Sequence, residues 1–595
     1  MKRLMTMVLV LVLAVTMLTG CGGGGGDDML KVGIIQLMEH PSLDTIRQSI
    51  IAGLEEEGFS AERVVKDIEV ISKEHHSVAH PQERAKVREY LVQRLESLGA
   101  DTVLRFEYDS LVSPSNRPFI YTFDAVDLLA EFPPLNPSQD DTYLMFVAHY
   151  DSRYAQIMPK DTVWSYGAAD DGYGIGVTLE AVSQLLKQRD SWYQGVKVLF
   201  TDAEEVGMMG MKAIWENDRE VFDNVGLMIN IEARGPWGPA LLFEACPGNE
   251  KVIDLYASAA KYPFTYSLTT VVYQFMPNFT DFTIVKDSIP GLNFSTIADV
   301  NHYHTDLDNF SNVNPKSIQH YGAQVLPVAE KYLTTLEYAD KDAMRAEADA
   351  TNFTIPLLGI FNFSKVGYLI LNVTVIMLFL LLFALEGLRG RIKALRVFKV
   401  SASVLGLAVA VLAFGELVAY LSSMIAGATF KPFGVIHGIG FDNVAMIVTT
   451  VLIFVLAVCG YMVLRGKVMR KVSGSMRASA SVAAASKYAC TMLYGTLVLM
   501  MILSAVLVGV LGENIMFFVP LCFATGGLIL WRLTGCKFML VVAVSLILLH
   551  AFSFLYALAM ALTIGAYGAV AMLAFCDFMV LIPLADLYLS PSRRI

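Results

Sequence analysis

The stretch Thr142-Tyr-Leu-Met-Phe-Val-Ala148-His149-Tyr150-Asp151 is an unbroken apolar run that stops abruptly on an imidazole and a carboxylate. A strand that is apolar on both sides must be covered on both faces, as in a parallel sheet flanked by helices. Three further runs of the same character lie between loops at 196–201, 226–231 and 291–297. They alternate with helical periodicity at 172–188, 250–260 and 316–335. Two earlier helical stretches carry Val65, Ile68 and Ile71, then Val87, Leu91 and Leu95 as far as Gly99. This alternation predicts an α/β fold with a mostly parallel central sheet flanked by helices.

In such sheets ligands gather at the carboxyl ends of the strands. His149 follows the first run, Glu204-Glu205 the second and Glu232 the third, so the spacing directs three clusters to one rim. Asp170, in Gly-Ala-Ala-Asp170-Asp-Gly, opens the helix after the first run, and Tyr303-His304 follows the fourth. Imidazole nitrogen and carboxylate oxygen are zinc donors. A hydrolytic metal pair needs a bridging carboxylate, terminal ligands on each ion and a free carboxylate to act as base. On this reading His149 binds one ion while Asp151 accepts its other ring N–H. Asp170 bridges, Glu232 completes the first site, Glu205 and His304 complete the second, and Glu204 is left as the general base. A lone Asp-Asp-Gly is usually a turn and a lone Glu-Glu a solvated pair; their shared position after apolar strands is what favours a metal centre. His302 competes with His304, and the adjacency of Tyr303 selects His304. His75, His76 and His80 precede the sheet and are expected to cap and pack an early loop.

The segments His149-Tyr-Asp151, Ala169-Asp-Asp-Gly-Tyr-Gly174, Asp202-Ala-Glu-Glu-Val-Gly207, Asn230-Ile-Glu-Ala-Arg-Gly235 and Tyr303-His-Thr-Asp306 resemble the co-catalytic dizinc aminopeptidase family. That family also contains glutamate carboxypeptidases, glutaminyl cyclases and the vacuolar or endoplasmic-reticulum membrane metallopeptidases. The resemblance runs from about Glu62 to Glu337, and the apolar tail brings the chain nearest the membrane branch. It implies two zinc ions per chain, with His149, Asp170 and Glu232 on one, Asp170, Glu205 and His304 on the other, and Glu204 as base. It further implies that Tyr303 supplies a hydroxyl to the tetrahedral oxyanion, and that Glu232 stands where secreted members carry Asp. The expected activity is release of N-terminal residues from peptides, with the insert 153–169, carrying Trp164 and Tyr166, helping to shape the pocket. The alternatives are glutaminyl cyclisation on the same fold, usually with one zinc, and a non-catalytic solute-binding or transport component.

Composition sets the frame for the rest of the chain. With 55% hydrophobic residues and a mean hydropathy of +0.51, the 595-residue chain is too apolar to be soluble throughout. From Lys365 onward there are 17 Lys+Arg against 6 Asp+Glu, a net of +11; the total of −11 leaves −22 for residues 1–364. An acidic soluble part without a clustered basic face excludes nucleic acid as a partner. Peptide substrates and membrane lipid are the expected partners. Cys246 is the one cysteine between the leader and the membrane part, which excludes an intradomain disulfide framework there.

Residues 1–29 read as a signal ending at Leu18-Thr-Gly-Cys21, resembling a bacterial lipoprotein signal, followed by a Gly-rich tether. Residues 30–60 look like a single βα unit resembling the start of an ABC-transporter substrate-binding lipoprotein, fused near Ser60. The metallopeptidase domain is expected at 61–340 and a transmembrane domain of about seven helices at 365–595, with spans near 366–388, 400–424, 443–464, 488–511, 515–531, 538–556 and 565–587. With the soluble domain outside, 15 basic residues fall in the inner loops and Lys365 and Lys431 in the outer ones. This asymmetry predicts an integral protein of a bacterial cell membrane with an extracytoplasmic peptidase domain and a cytoplasmic C-terminus. Glu416, Asp577 and Asp586 lie in or near apolar spans, where ionisable groups need partners; Asp586 is expected to pair with Arg593 or Arg594. Asn278, Asn293, Asn309, Asn352, Asn362 and Asn372 begin glycosylation-type sequons, which matter only in a secretory pathway.

Overall fold

The structure is a computed structural model that describes residues 58–590 apart from short stretches at 101, 114–121, 136–140, 155, 158–161, 275 and 277 and most of 428–480. The leader, the lipoprotein-type Cys21, nearly all of the 30–60 unit and most of the expected span at 443–464 lie outside the described residues. The chain forms two compact units that divide between Asn352 and Phe353.

In the first unit a seven-stranded sheet is built from β1 (Val103–Val112), β2 (Thr122–Phe132), β3 (Tyr143–His149), β4 (Gly195–Thr201), β5 (Val225–Ala233), β6 (Trp237–Ala245) and β7 (Gly291–Ala298). Their order is β1-β2-β4-β3-β5-β7-β6. The four strands read from apolar runs, β4, β3, β5 and β7, are the parallel centre, and every residue of each is buried. Antiparallel β1, β2 and β6 flank them; β1 is largely exposed, so it lacks the continuous apolar character that marks the centre. Lys197, inside the run of β4, is buried because its ammonium reaches the Val221 carbonyl at 2.8 Å and Asn224 Oδ1 at 2.9 Å.

Helices α1 (Ala61–Ile71), α2 (Pro81–Ser97), α3 (Gly172–Leu185), α4 (Met209–Asn217), α5 (Glu250–Ala259), α6 (Ser267–Gln274) and α7 (Pro315–Thr334) surround the sheet. α1 lies so close to α3 that a Cβ on Gly176 would stand 2.6 Å from Val64 Cγ1. α7 starts on Asn314, whose side chain accepts from Lys316 N at 3.0 Å, with Pro315 in the first turn. The fold reaches back at least to Phe59, ahead of the expected start at residue 61: Phe59 is buried against Gly322 of α7.

Register aligns the strand ends. His149 of β3 pairs with Thr201 of β4, and Val147 pairs with Asn230 of β5, which sets Glu232 level with His149. The rim expected from sequence is therefore a property of the ladder.

The second unit contains a hairpin of β8 (Thr351–Ile355) and β9 (Gly359–Phe363), the first strand of which spans the division. The helices are α8 (Lys365–Leu388), α9 (Ala394–Ala426), α10 (Ser481–Leu511), α11 (Ile515–Thr534), α12 (Phe538–Leu562) and α13 (Tyr567–Leu589). Among the described residues five stretches are long and apolar enough to cross a membrane. The fifth, Phe538–Leu589, is broken by the turn Thr563–Ala566 into α12 and α13, at the break expected there. Some polar groups inside this unit are satisfied by neighbouring helices. Asn514 accepts from Tyr368 Oη at 2.6 Å and donates to Asn372 Oδ1 at 2.7 Å. Glu416 Oε1 accepts from Gly568 N at 3.1 Å, capping the first turn of α13 where α9 and α13 touch through Gly415 and Gly568. Asp577 is buried, and its Oδ1 makes no hydrogen bond among the described residues. The partners expected for Asp586, Arg593 and Arg594, lie outside the described residues. Asn293 and Asn372 are buried within elements, so their sequons are inaccessible in the folded chain.

Candidate metal centre

His149 terminates β3 and is 1% exposed. Its Nε2 faces Asp170 Oδ1 at 3.2 Å and Glu232 Oε2 at 3.7 Å. Its Nδ1 lies 2.9 Å from the Asp151 carbonyl, with the Asp151 carboxylate farther off at 3.4 Å. The expected contact is thus shared with the backbone, because the Asp151 carboxylate is occupied. Its Oδ1 accepts from Glu204 N at 2.9 Å and its Oδ2 from Glu205 N at 3.3 Å. Asp151 thereby fastens the turn that carries both glutamates.

That turn is backbone of an uncommon kind. Ala203 at φ 57°, Gly207 at φ 116° and Met208 at φ 58° surround Glu204–Val206, all in the left-handed region. His304 shares it at φ 60°. Non-glycine residues keep such angles only where the surroundings impose them, and they cluster at functional sites. Here they turn Glu205 inward and leave Glu204 partly reachable by solvent.

Asp170 precedes α3, whose first turn is capped by Asp171: Oδ1 accepts from Gly174 N at 2.9 Å and Oδ2 from His149 N at 3.3 Å. With Asp171 so engaged, Asp170 faces the rim. While Oδ1 addresses His149, Oδ2 lies 3.2 Å from His304 Nε2, and His304 Nε2 is also 3.2 Å from Glu205 Oε2. Two donor groups result, His149–Asp170–Glu232 and Asp170–Glu205–His304, each with its ligand atoms within 4.8 Å of one another and joined through Asp170. His302 points elsewhere, to Asp299 Oδ2 at 3.0 Å. Tyr303 stacks on His304 with ring centroids 3.6 Å apart.

The His75–His80 segment packs against the insert. His75 stacks on Tyr166 at 4.0 Å and contacts the Ser165 carbonyl at 3.0 Å, while His76 is buried with Nδ1 on the Glu74 carbonyl. His80 occupies the N-cap position of α2, but its ring engages Ser77 Oγ instead of capping.

Several residues that shape the centre carry no local mark in the sequence. Arg153 Nη1 donates to the Glu205 carbonyl at 2.7 Å and to its Oε2 at 2.9 Å. Asp308 is buried and accepts from Ala169 N at 2.7 Å, Asp170 N at 3.3 Å and Ser165 Oγ at 2.9 Å, holding the loop before α3. Its place four residues after His304 is the one available hint, whereas Asp306 of the same motif is exposed. Glu232 is steadied by Asn230 Nδ2 at 3.2 Å. Asn230 also donates to Asn293 Oδ1 at 2.9 Å; Asn293 donates to Glu244 Oε2 at 3.0 Å, and Lys286 Nζ binds Glu244 Oε1 at 2.6 Å. Asp281 is buried beside Thr201, whose hydroxyl it accepts.

So much carboxylate in one buried place distorts titration. Burial pushes Glu204 well above the usual range; His149 draws it down, and Glu232, Glu205 and Asp281 add to the rise. Burial likewise raises Glu232 and Asp171, with Asp170 contributing to both. Burial lowers His149, but hydrogen bonds to Asp151 and Asp170 and the charge of Glu232 outweigh it and hold the imidazolium well above its ordinary value. Glu205 is the exception: burial raises it, yet His304 and Arg153 hold it well below.

The donor set fits metal ions. Among the described residues nitrogen and oxygen donors converge there, and His304 Nε2 is buried without a hydrogen bond although two carboxylate oxygens stand 3.2 Å away. A parallel-centred sheet with two overlapping imidazole–carboxylate groups at its strand ends defines the class of a metal-dependent hydrolase domain. Residues 127–329 match the model of Peptidase family M28. The chain is 33% identical over 180 residues to human endoplasmic reticulum metallopeptidase 1, covering 29% of this chain and 19% of that protein. It is 26% identical over 269 residues to the vacuolar membrane protease of Yarrowia lipolytica, covering 44% of this chain and 25% of that protein. The chain therefore spans a quarter or less of the length of these relatives. The solved structure of Porphyromonas gingivalis glutaminyl cyclase aligns with 46% of this chain and 99% of its own, at 18% identity and a TM-score of 0.37.

Proposed function

We propose that the protein is a membrane-anchored dizinc exopeptidase, an aminopeptidase, acting on peptides outside the cytoplasm. The observation that carries this reading is the sharing of Asp170 between two donor groups, because a bridging carboxylate is what separates a metal pair from a single site. His149 and Glu232 would hold one zinc, Glu205 and His304 the other.

Bound zinc supplies an acidified water and a polarised peptide carbonyl at neutral pH. Glu204 belongs to neither donor group, reaches solvent and has its carboxyl raised by burial, the properties of a group that takes a proton from water and returns it to the leaving amine. Asp151 holds Glu204 in place through the Glu204 N–H. Tyr303, fixed by stacking on His304, offers a hydroxyl to the oxyanion. The basic loops of the second unit support an inside-facing tail, which leaves the peptidase domain on the opposite side.

The test uses the full chain in detergent with zinc, assayed on aminoacyl amides, N-blocked peptides and N-terminal glutaminyl peptides. Hydrolysis of free-amine substrates alone, with two zinc ions per chain, is the expected result. Cyclisation of glutaminyl peptides with one tightly held ion would overturn it in favour of an acyl-transfer enzyme.

A further inference from the structure

Within the membrane unit one buried carboxylate is held by more positive charge than it neutralises. Glu386, in the last turn of α8, is 0% exposed. Its Oε1 accepts from Arg391 Nη1 at 2.9 Å and its Oε2 from Arg532 Nη2 at 3.0 Å, while Arg389 stands 3.8 Å from Oε1. Three guanidinium groups on one carboxylate leave a surplus of two positive charges. Arg391 and Arg532 are largely withdrawn from water. The Arg532 guanidinium lies 4.1 Å from the Trp531 ring, and its Nε is buried without a hydrogen bond among the described residues.

Among the described residues, basic side chains outnumber acidic ones on that end of the bundle. Short connections join α8 to α9 and α11 to α12, and α10 turns into α11 at the opposite end. Lys393, Arg396, Lys487, Arg532 and Lys537 therefore share the end with Glu386. Lys537 Nζ donates to the Tyr588 carbonyl at 3.0 Å, which brings the last turn of α13, with Asp586, to the same end. The segment 443–512 contains no Asp or Glu. α9 begins there with Lys393 at its N-cap and no acid in its first turn, so its positive helix end adds to the field.

We propose that this end of the bundle is a binding site for the phosphate of an anionic phospholipid, gripped by Arg391, Arg532 and Arg389 beside the first turn of α9. A lipid fits better than free phosphate because exposed apolar side chains adjoin the site along the chain: Leu388, next to Arg389, at 86%, Leu533, next to Arg532, at 78%, and Leu395, in the first turn of α9, at 69%. Guanidinium groups flanked by exposed leucines at the ends of apolar helices match a headgroup with its acyl chains alongside, and a tryptophan belongs at that depth. Arginine presents the planar fork that grips phosphate oxygens in pairs.

The test takes the full chain through delipidation into nanodiscs of phosphatidylcholine alone or mixed with phosphatidylglycerol. Lipid retained by the protein is read by native mass spectrometry and thermal stability by melting. Wild type is expected to retain phosphatidylglycerol over phosphatidylcholine by about tenfold, with a raised Tm in the mixed discs, and R391Q/R532Q to lose that preference. No preference in wild type, or an undiminished preference in R391Q/R532Q, overturns the site. If that variant does not fold, the wild-type comparison alone decides. Inorganic phosphate added to phosphatidylcholine discs should leave Tm unchanged; a rise matching that from phosphatidylglycerol would overturn the lipid in favour of a free anion.

Discussion

Arg153 places one guanidinium nitrogen between the backbone carbonyl of Glu205, at 2.7 Å, and the Oε2 of the same residue, at 2.9 Å. The contact fixes the rotamer of a carboxylate that also faces His304, and partners of this kind govern metal affinity. Arg153→Met should weaken zinc binding by about 10–100-fold, measured by competition with a chromophoric chelator. Unchanged affinity would show that Glu205 is held without it.

Glu204 lies outside both donor groups, which separates its role from theirs. In Glu204→Gln the zinc content should match wild type while turnover falls by about 10²–10⁴, as read by metal analysis beside steady-state kinetics. A variant as active as wild type would remove Glu204 as the base.

Stability of the metal-free peptidase domain should fall as pH rises. Glu204, Glu232, Asp171 and His149 all have folded-state pKa values raised above their ordinary ones. A raised pKa contributes stability that is present below the unfolded value and lost as pH climbs through the folded one. Glu205 has the opposite sign, but its contribution is lost only on acidification below the ordinary carboxylate range. Buried His76 and His320, each lowered to about 4, also have the opposite sign, and their effect ends at the ordinary histidine value. Between about pH 6.5 and 8 the chelator-treated protein should therefore melt at progressively lower temperature, and added zinc should reverse the loss while releasing protons. A flat or rising melting profile for the metal-free protein would contradict the placement of these groups.

Asn230 ties Glu232 to a buried polar chain through Asn293 and Glu244 to Lys286. Asn230→Ala leaves the Asn293 oxygen and a Glu232 oxygen without that donor in a fully buried place, which should cost about 1–3 kcal/mol. Chemical denaturation of the metal-free and zinc-loaded forms would measure it. A loss in the zinc-loaded form much smaller than in the metal-free form would assign the chain to orienting the empty ligand.

Gly176 of α3 admits no side chain, since a Cβ there would stand 2.6 Å from Val64 Cγ1. Gly176→Val should destabilise the domain by about 1–3 kcal/mol through overpacking, read as a shift in denaturation midpoint at constant slope. A neutral result would mean that α1 yields freely.

The centre of the sheet was legible because burial on both faces leaves a continuous apolar run, and β3, β4, β5 and β7 all carry one. Exposed β1 was not, since an edge strand needs no such run. The same asymmetry holds at the centre. His149 and Glu232 lie at the carboxyl ends of β3 and β5 and Glu204-Glu205 just beyond β4, where chain order alone predicts a shared rim. Arg153, Asp308 and Asp281 act from loops whose position depends on which distant segment they meet.

Residue order by itself determined the alternation of strand and helix, the acidic and imidazole groups at the strand ends and the apolar tail with its basic loops, because each is written in local periodicity and charge. Tertiary structure alone decided that Asp170 turns its two oxygens to two histidines, that Asp151 spends its carboxylate on the turn carrying the glutamates, and that Arg532 reaches Glu386. Those relations join residues far apart in the chain, and only packing fixes distances at the scale of an ångström on which coordination and hydrogen bonding depend.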